Sequence, residues 1–360
     1  MNARIELRYN VVTNRDLKAV GVSGTEISRA VNCCLIRLCA GVYSIAAACG
    51  RPQHKRIGSL ITDTEWTDYF RTTSGDERAR DRQFTSLLAR LATIHYRSYR
   101  SADVVAGASA ALLHDLPMFD LALRPLTVMH PTASTRSTAV RRLRRAVPAE
   151  DREAIGRLTV TSAVRTGLDL IEFGGPVSGF AALETVLRRS VTAANGGKAL
   201  AFSDSRKVRE LGSTAVEAEV MPAVRGMSRG STRAQRIVER ISPMSESYAE
   251  SRCSFNLHTL GLHDFVQQWN VAADGELLTR LDFLHRATMT ALAVDGSGKY
   301  EDAGRGRLRH ESYQHNMLLK MGYTVVHFTF HDILNPQVFG LKLFEQAPRL
   351  LEFRIDPLVL

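Results

Sequence analysis

Nowhere does the sequence sustain the ~18 unbroken apolar residues that a membrane helix needs. Its most apolar early stretch, Cys34 to Cys49, is broken by Arg37 and Gly41. The opening decapeptide, MNARIELRYN, has no apolar signal core. The expectation is a cytoplasmic protein with no membrane partner. Cysteine is scarce too: five in 360 residues, at Cys33, Cys34, Cys39, Cys49 and Cys253, with no Cys-x-x-Cys spacing. That leaves no disulfide framework to read, and the paired ligands of a zinc site are missing. The cysteines are therefore read as reduced thiols acting as small apolar side chains. A Walker-type phosphate loop and a His-Glu-x-x-His helix are absent, which removes the nucleotide cradle and the zinc-protease motif. No period of roughly 20–50 residues repeats, so a solenoid is excluded. The aromatic residues form no platform for stacking single-stranded bases.

Acidic charge is also short. Asp and Glu number 37 against 47 Lys and Arg, a formal net charge of +10. Such an excess suits a polyanionic partner, because Lys and Arg neutralise phosphates and release counterions. A chain of 360 residues with 44% hydrophobic content exceeds one ordinary core, so two or three domains are expected.

Local patterns divide the chain further. Thr13 can cap a short helix holding Leu17 and Val20, ended by Gly21. Ser23-Gly24 opens a second helix, TEISRAVN, with Ile27, Ala30 and Val31 inward. Two β-prone runs, Leu35–Leu38 and Val42–Ile45, flank Ala40-Gly41 as a hairpin. Helix, turn, helix and hairpin make a winged helix-turn-helix over 1–48. A middle helical and α/β region is expected over 49–210. It includes a helix from about Asp76 to Arg97, a helix over 102–116, strands at 126–129 and 158–161, and an exposed connection over 191–210. Within it, RRLRR at 141–145 reads as a solvated face, and Arg165 and Asp169, four apart on a helix, read as a structural pair. Over 211–350, helices flank strand-like runs WNVAAD, LLTRLDFL, TALAVDG and YTVVHFTF, with a turn at Asp274-Gly275. The fold class is thus α/β, or α+β multidomain. His258, His285 and His331 are read as surface or helix-packing residues.

The segment EISRAVNCCLIRLCAGVYSI and the helix spacing before it resemble the winged-helix domain of AbiEi-family antitoxins from type IV toxin–antitoxin systems. The likeness extends more weakly to ASAALLHDLP and TVTSAVRTGLDL, the latter covering Thr161, Ser162, Arg165, Thr166 and Asp169. The resemblance implies duplex DNA and a cognate toxin protein as partners. A reading helix presents small polar and basic side chains to base edges and phosphates. Thr25, Ser28, Arg29 and Asn32 fit that face, Arg37 on the wing could clamp the backbone, and Glu26 is unhelpful beside phosphate. The alternative is that this small unit only packs against the middle region.

The C-terminal third resembles the PD-(D/E)XK nuclease superfamily, in its very-short-patch-repair-like branch. SYAESR supplies Glu250, TRLDF supplies Asp282, ALAVDGSGKY supplies Asp295, Lys299 and Tyr300, and GYTVVHFT is the closing strand. The resemblance implies a restriction-endonuclease-like domain in which Asp282, with Glu250 as an outer ligand, holds Mg²⁺ against a scissile phosphate, and Asp295, on the same side of its strand as residue 293, could supply a missing ligand. Lys299 would stabilise developing charge, and His310 or His315 would act as base. The sequence departs from the family: Ala293 stands where relatives carry a Glu ligand, and His327 where they carry Arg. Ser312, Gln314, His315 and Asn316 replace the usual charged helix face. The expectation is a DNA-binding regulator or antitoxin-like protein whose nuclease-like domain has lost cleavage, with no cofactor. The alternatives are a Mg²⁺-dependent DNA endonuclease and a toxin-neutralising, protein-binding module.

Overall fold

The computed structural model describes residues 8–119, 125–295 and 305–359, with the backbone alone over 305–311. Among the described residues, helices combine with three separate sheets, a mixed α+β architecture. The chain divides into two units, Met1–Asp115 with Ala122–Ser162, and Leu116–Leu121 with Ala163–Leu360. Of the borders expected from sequence, the one near residue 48 lies inside the first unit. The one near 210 falls within a helix of the second.

In the first unit, β1 (Val11–Thr13) leads into α1 (Asn14–Ala19) and α2 (Gly24–Ala30). Thr13 Oγ1 accepts from Asp16 N (3.3 Å) while the Asp16 carboxylate accepts from Thr13 N (2.8 Å), a reciprocal cap that satisfies two otherwise orphaned donors. Gly21, at φ +79°, supplies the left-handed turn between the helices. Next come β2 (Leu35–Cys39) and β3 (Val42–Ile45), and β1 pairs with the far edge of β3, giving an antiparallel sheet in the order β1-β3-β2. Leu17, Ile27, Ala30, Leu35, Ile45 and Ile57 share the core beneath it. Because Ile57 belongs to this core, the basic segment around Arg51, Lys55 and Arg56 is part of the N-terminal module.

The long helix expected from about Asp76 to Arg97 is two helices after α3 (Thr64–Thr72): α4 (Gly75–Arg80) and α5 (Arg82–His95). Asp81 (φ −75°, ψ 107°) leaves the helical region and its carboxylate accepts from Gln83 N and Phe84 N, so capping by Asp starts a new helix just before the apolar stripe that opens at Phe84. The expected helix over 102–116 is likewise shortened. Val104–Val105 form β4, and α6 covers Gly107–Leu113. The β-branched pair is drawn into the middle of a six-stranded sheet. That sheet holds β5 (Leu126–His130), β6 (Thr135–Arg136), β7 (Val140–Arg144), β8 (Arg152–Ile155) and β9 (Leu158–Thr161), in the order β6-β7-β5-β4-β9-β8. The RRLRR run lies on β7 and is not uniformly solvated. Arg142 turns inward and makes two bonds to Asp103, Nε to Oδ1 at 2.7 Å and Nη2 to Oδ2 at 2.6 Å.

The second unit starts with α7 (Ala163–Phe173) and α8 (Pro176–Ala194). They approach closely because Gly179 faces Ile171: a Cβ there would lie 2.3 Å from Ile171 Cγ1. The expected exposed connection over 191–210 is partly helical, since α9 spans Ser205–Ala215. After α10 (Ser231–Val238) the order is helix, three strands, helix, strand: α11 (Tyr248–Thr259), β10 (Phe265–Ala273), β11 (Glu276–His285), β12 (Thr290–Val294), α12 (Arg305–Lys320) and β13 (Thr324–Phe328). The sheet runs β10-β11-β12-β13, antiparallel through β12, with β13 parallel to β12. Asp274 and Gly275 at φ +53° and +83° form the two-residue turn whose twist suits the β10–β11 hairpin. The last strand stops earlier than YTVVHFTF suggests, since Thr329 caps α13 (Phe330–Leu334), which α14 (Pro336–Gln346) follows. Phe283, Leu292, Val326 and Phe328 of the sheet bury against Cys253 and Leu257 of α11 and Phe339 of α14.

Candidate functional site

On α2, helical periodicity separates two faces. Ile27 (4% exposed) and Ala30 (0%) point into the core, while Thr25, Ser28 and Arg29 are exposed, with Asn32 just beyond the helix and Arg37 on β2. All five residues singled out for DNA contact therefore reach solvent. Glu26 is turned back to the helix start. Its carboxylate accepts from Ser23 N (2.7 Å), while Ser23 Oγ accepts from Glu26 N (3.3 Å). The Ser23 backbone and then its hydroxyl hold the Glu26 carboxyl below its usual range. Its charge is thus committed to the cap rather than to the outward face. Arg51, Lys55 and Arg56 are exposed in the same module, and Arg56 Nη1 donates to Gly21 O (2.9 Å), bracing the turn before α2.

Behind α2 lies a grouping the sequence reading did not anticipate. Cys33, Cys34, Cys49 and His54 bring one ligand-type atom each within 4.8 Å of one another. Cys34 is buried and His54 is 1% exposed. Burial, with the Cys33 and Cys49 sulfurs beside it, pushes the Cys34 thiol well up. The expectation of cysteines as small apolar groups fits buried Cys253, and Cys34, which lies in the module's apolar core with Cys49 packed against it, whereas Cys33 is exposed. A search for Cys-x-x-Cys pairs passes over them because a whole β-hairpin separates Cys34 from Cys49. The closer signal was Cys49 and His54 five apart, just past that hairpin.

In the second unit, the β11–β12 register carries Asp282 toward Ala293, which itself pairs with His327 on β13. Asp282 Oδ2 accepts from Val294 N (2.8 Å), and Asp295 N donates to Phe328 O (2.8 Å). Glu250 is satisfied from three sides, by Glu246 N (2.9 Å), Ser247 Oγ (3.0 Å) and Gln268 Nε2 (2.7 Å). Burial raises the Glu250 carboxyl, and the Asp282 charge raises it further. His327 is lowered by burial and then by His315, whose Nδ1 lies 3.3 Å from His327 Nε2, while Asp295 and Asp282 pull it back up. Glu250, Asp282, Asp295, His315 and His327 thus share one electrostatic neighbourhood. Even so, among the described residues the Cys33 group is the one set of three or more potential ligands within 4.8 Å. Lys299 and Tyr300 lie outside the described residues, as does the side chain of His310.

Other residues take structural places. Arg165 Nε donates to Asp169 Oδ1 (3.0 Å), and both are buried. His285 is buried against Thr288 (2.8 Å), whereas His331 is exposed. His258 Nδ1 lies 2.8 Å from His263 Nδ1, and burial, then His263, lowers it to about 3. That pair lines a cleft of about 770 Å³ with Gln268, Trp269, Asn270 and Arg286. Gln268 holds φ +55° between the Gln267–Phe283 and Trp269–Leu281 pairs, a backbone strain no sequence pattern announces. A Gly-x-Ser-x-Gly run, Gly226–Gly230, links two helices rather than a strand to a helix, so it lacks the strained elbow that exposes a nucleophile. No family model, no curated protein and no solved structure matches the chain.

Proposed function

We propose that this protein binds duplex DNA through α2 and the β2–β3 hairpin, as a regulator of the antitoxin-like kind, and that its C-terminal unit is a nuclease-like fold without cleavage activity. The observation that carries the reading is the outward face of α2: Thr25, Ser28, Arg29 and Asn32 are exposed while Ile27 and Ala30 are buried, and Arg37 is exposed on the hairpin that follows. Small polar and basic side chains on a helix this short can enter a major groove, with the hairpin alongside. The order of helix, three antiparallel strands, helix and parallel strand in the second unit supports the nuclease-like part of the proposal. Loss of cleavage is supported by Ala293 on β12 and by the three donors that occupy Glu250.

A salt-titrated gel shift with random duplex tests the binding. Affinity should fall as salt rises, and the paired change Arg29→Ala with Arg37→Ala should lower it and flatten the salt slope by about two phosphate contacts. An unchanged slope would remove the proposed face. The second reading, a Mg²⁺-dependent endonuclease, is favoured by the shared neighbourhood of Glu250, Asp282, Asp295 and His327. Supercoiled plasmid with Mg²⁺ or Mn²⁺ should stay intact; nicking that Asp282→Ala abolishes would establish the second reading over the first.

A further inference from the structure

Cys33 and Cys34 close the turn after α2, Cys49 follows β3, and His54 sits on the helical turn Pro52–His54. Four donor atoms from three separate stretches of chain converge. Cys33 Sγ is 3.7 Å from Cys34 Sγ and 4.0 Å from Cys49 Sγ. His54 Nδ1 is 3.2, 3.7 and 3.4 Å from the sulfurs of Cys33, Cys34 and Cys49. The remaining pair, Cys34 and Cys49, is also within 4.8 Å. A tetrahedron with edges of this size has its centre about 2.2 Å from each corner, the length of a zinc–sulfur or zinc–nitrogen bond. Apolar packing gives no reason for one imidazole nitrogen to face three sulfurs at once, since thiols are weak donors and weak acceptors. No pair of these sulfurs is joined in a disulfide.

We infer that Cys33, Cys34, Cys49 and His54 form a structural Zn²⁺ site in which three thiolates and the His54 Nδ1 close a tetrahedron behind the outward face of α2. Soft thiolate ligands and tetrahedral geometry select zinc over the oxygen-seeking Mg²⁺ and Ca²⁺. The set leaves no open position for water, which is the pattern of a structural rather than a catalytic zinc. Loading releases three thiol protons to solvent and leaves the centre with one net negative charge. The metal would tie the end of α2 to the chain leaving β3, and so hold helix and hairpin in one geometry. The site stands independently of whether the module binds DNA.

The test uses the full chain purified under reducing conditions without chelator. Native mass spectrometry should find one Zn²⁺ per chain, and a thiol-blocking mercurial should release it. Replacement by Co²⁺ should give the strong visible bands of a tetrahedral centre together with thiolate-to-cobalt charge transfer in the near ultraviolet. Cys33→Ser and Cys49→Ser should each reduce the charge-transfer band and weaken Zn²⁺ affinity by more than the roughly 10–100-fold that loss of a supporting hydrogen bond costs. His54→Cys keeps four ligands and should retain the metal with a stronger charge-transfer band, which guards against reading a folding defect as ligand loss. Cys39→Ser and Cys253→Ser should leave the spectrum unchanged. Protein that takes up neither Zn²⁺ nor Co²⁺ would overturn the assignment. So would a spectrum that Cys39→Ser alters as much as Cys49→Ser, or a disulfide among Cys33, Cys34 and Cys49 in reducing buffer.

Discussion

Replacing Arg142 by Ala offers the sharpest check on the first unit. The Arg142 side chain is 3% exposed and that of Asp103 is 0%, and the two meet through a pair of charge-assisted bonds. Asp103 also accepts from Arg100 N at 2.9 Å. Burial by itself would raise the Asp103 carboxyl, but the bonds from Arg142 and the Arg100 backbone outweigh it and hold it below its usual range. Removing the guanidinium strands a buried carboxylate, a change worth about 3–5 kcal/mol. An arginine on a solvated face would cost within about 0.5 kcal/mol. Urea unfolding separates these figures. The chain has two tryptophans, and in a Trp269→Phe background the buried Trp66 reports on the first unit alone. The pair can also be removed together: Asp103→Leu with Arg142→Met should recover most of the loss, because no charge is then left unpaired. Since the Asp103 carboxyl is lowered on folding, its contribution is present above its unfolded value and is lost as pH falls through the folded one. The wild type should therefore weaken in acid, and the double variant less so. An Arg142→Ala midpoint shift equivalent to less than about 1 kcal/mol would refute the argument that this ion pair is sealed from water.

Glu184 on α8 gives the opposite sign. It is fully buried, accepts from Ser242 N at 2.9 Å, and burial raises its carboxyl to about 8. Its folded form holds a proton that the unfolded chain has released, so stability should decline as pH rises from the ordinary glutamate range toward 8. Glu184→Gln should flatten that decline in a series of thermal melts; an identical pH slope in the variant would show that Glu184 is ionised in the folded protein. Gly179→Ala should destabilise the second unit by about 1–3 kcal/mol, because the added methyl meets Ile171 on α7 at both side chain and backbone. Trp269 fluorescence in a Trp66→Phe background reads this, and a variant as stable as its parent would mean that α7 and α8 separate without cost.

Much of the local structure was legible because it is written in neighbouring residues. Thr13 and Ser23 announce their helices by caps whose partners are three residues away, Gly21 and Asp274-Gly275 announce turns by backbone freedom, and the buried face of α2 follows from Ile27 and Ala30 at helical spacing. The order of helices and strands in the last third follows from alternating apolar periods for the same reason. Where local signals competed, the reading slipped: Asp81 caps a new helix inside the single one expected from about Asp76 to Arg97, and Val104–Val105 form a strand inside the helix expected over 102–116.

What tertiary structure decided are the meetings between residues far apart in the chain. Arg142 was one of four arginines in the RRLRR run until Asp103, thirty-nine residues earlier, selected it for burial. Glu250 is held by Gln268 across a helix-to-strand turn, and its carboxyl is raised first by burial and further by Asp282 on another strand. Most of all, Cys33, Cys34, Cys49 and His54 carry no recognisable spacing, because the hairpin between them, not a motif, brings their donor atoms together. Short-range chemistry can be read along a chain; coordination and charge pairing depend on distances that exist only once the chain has folded.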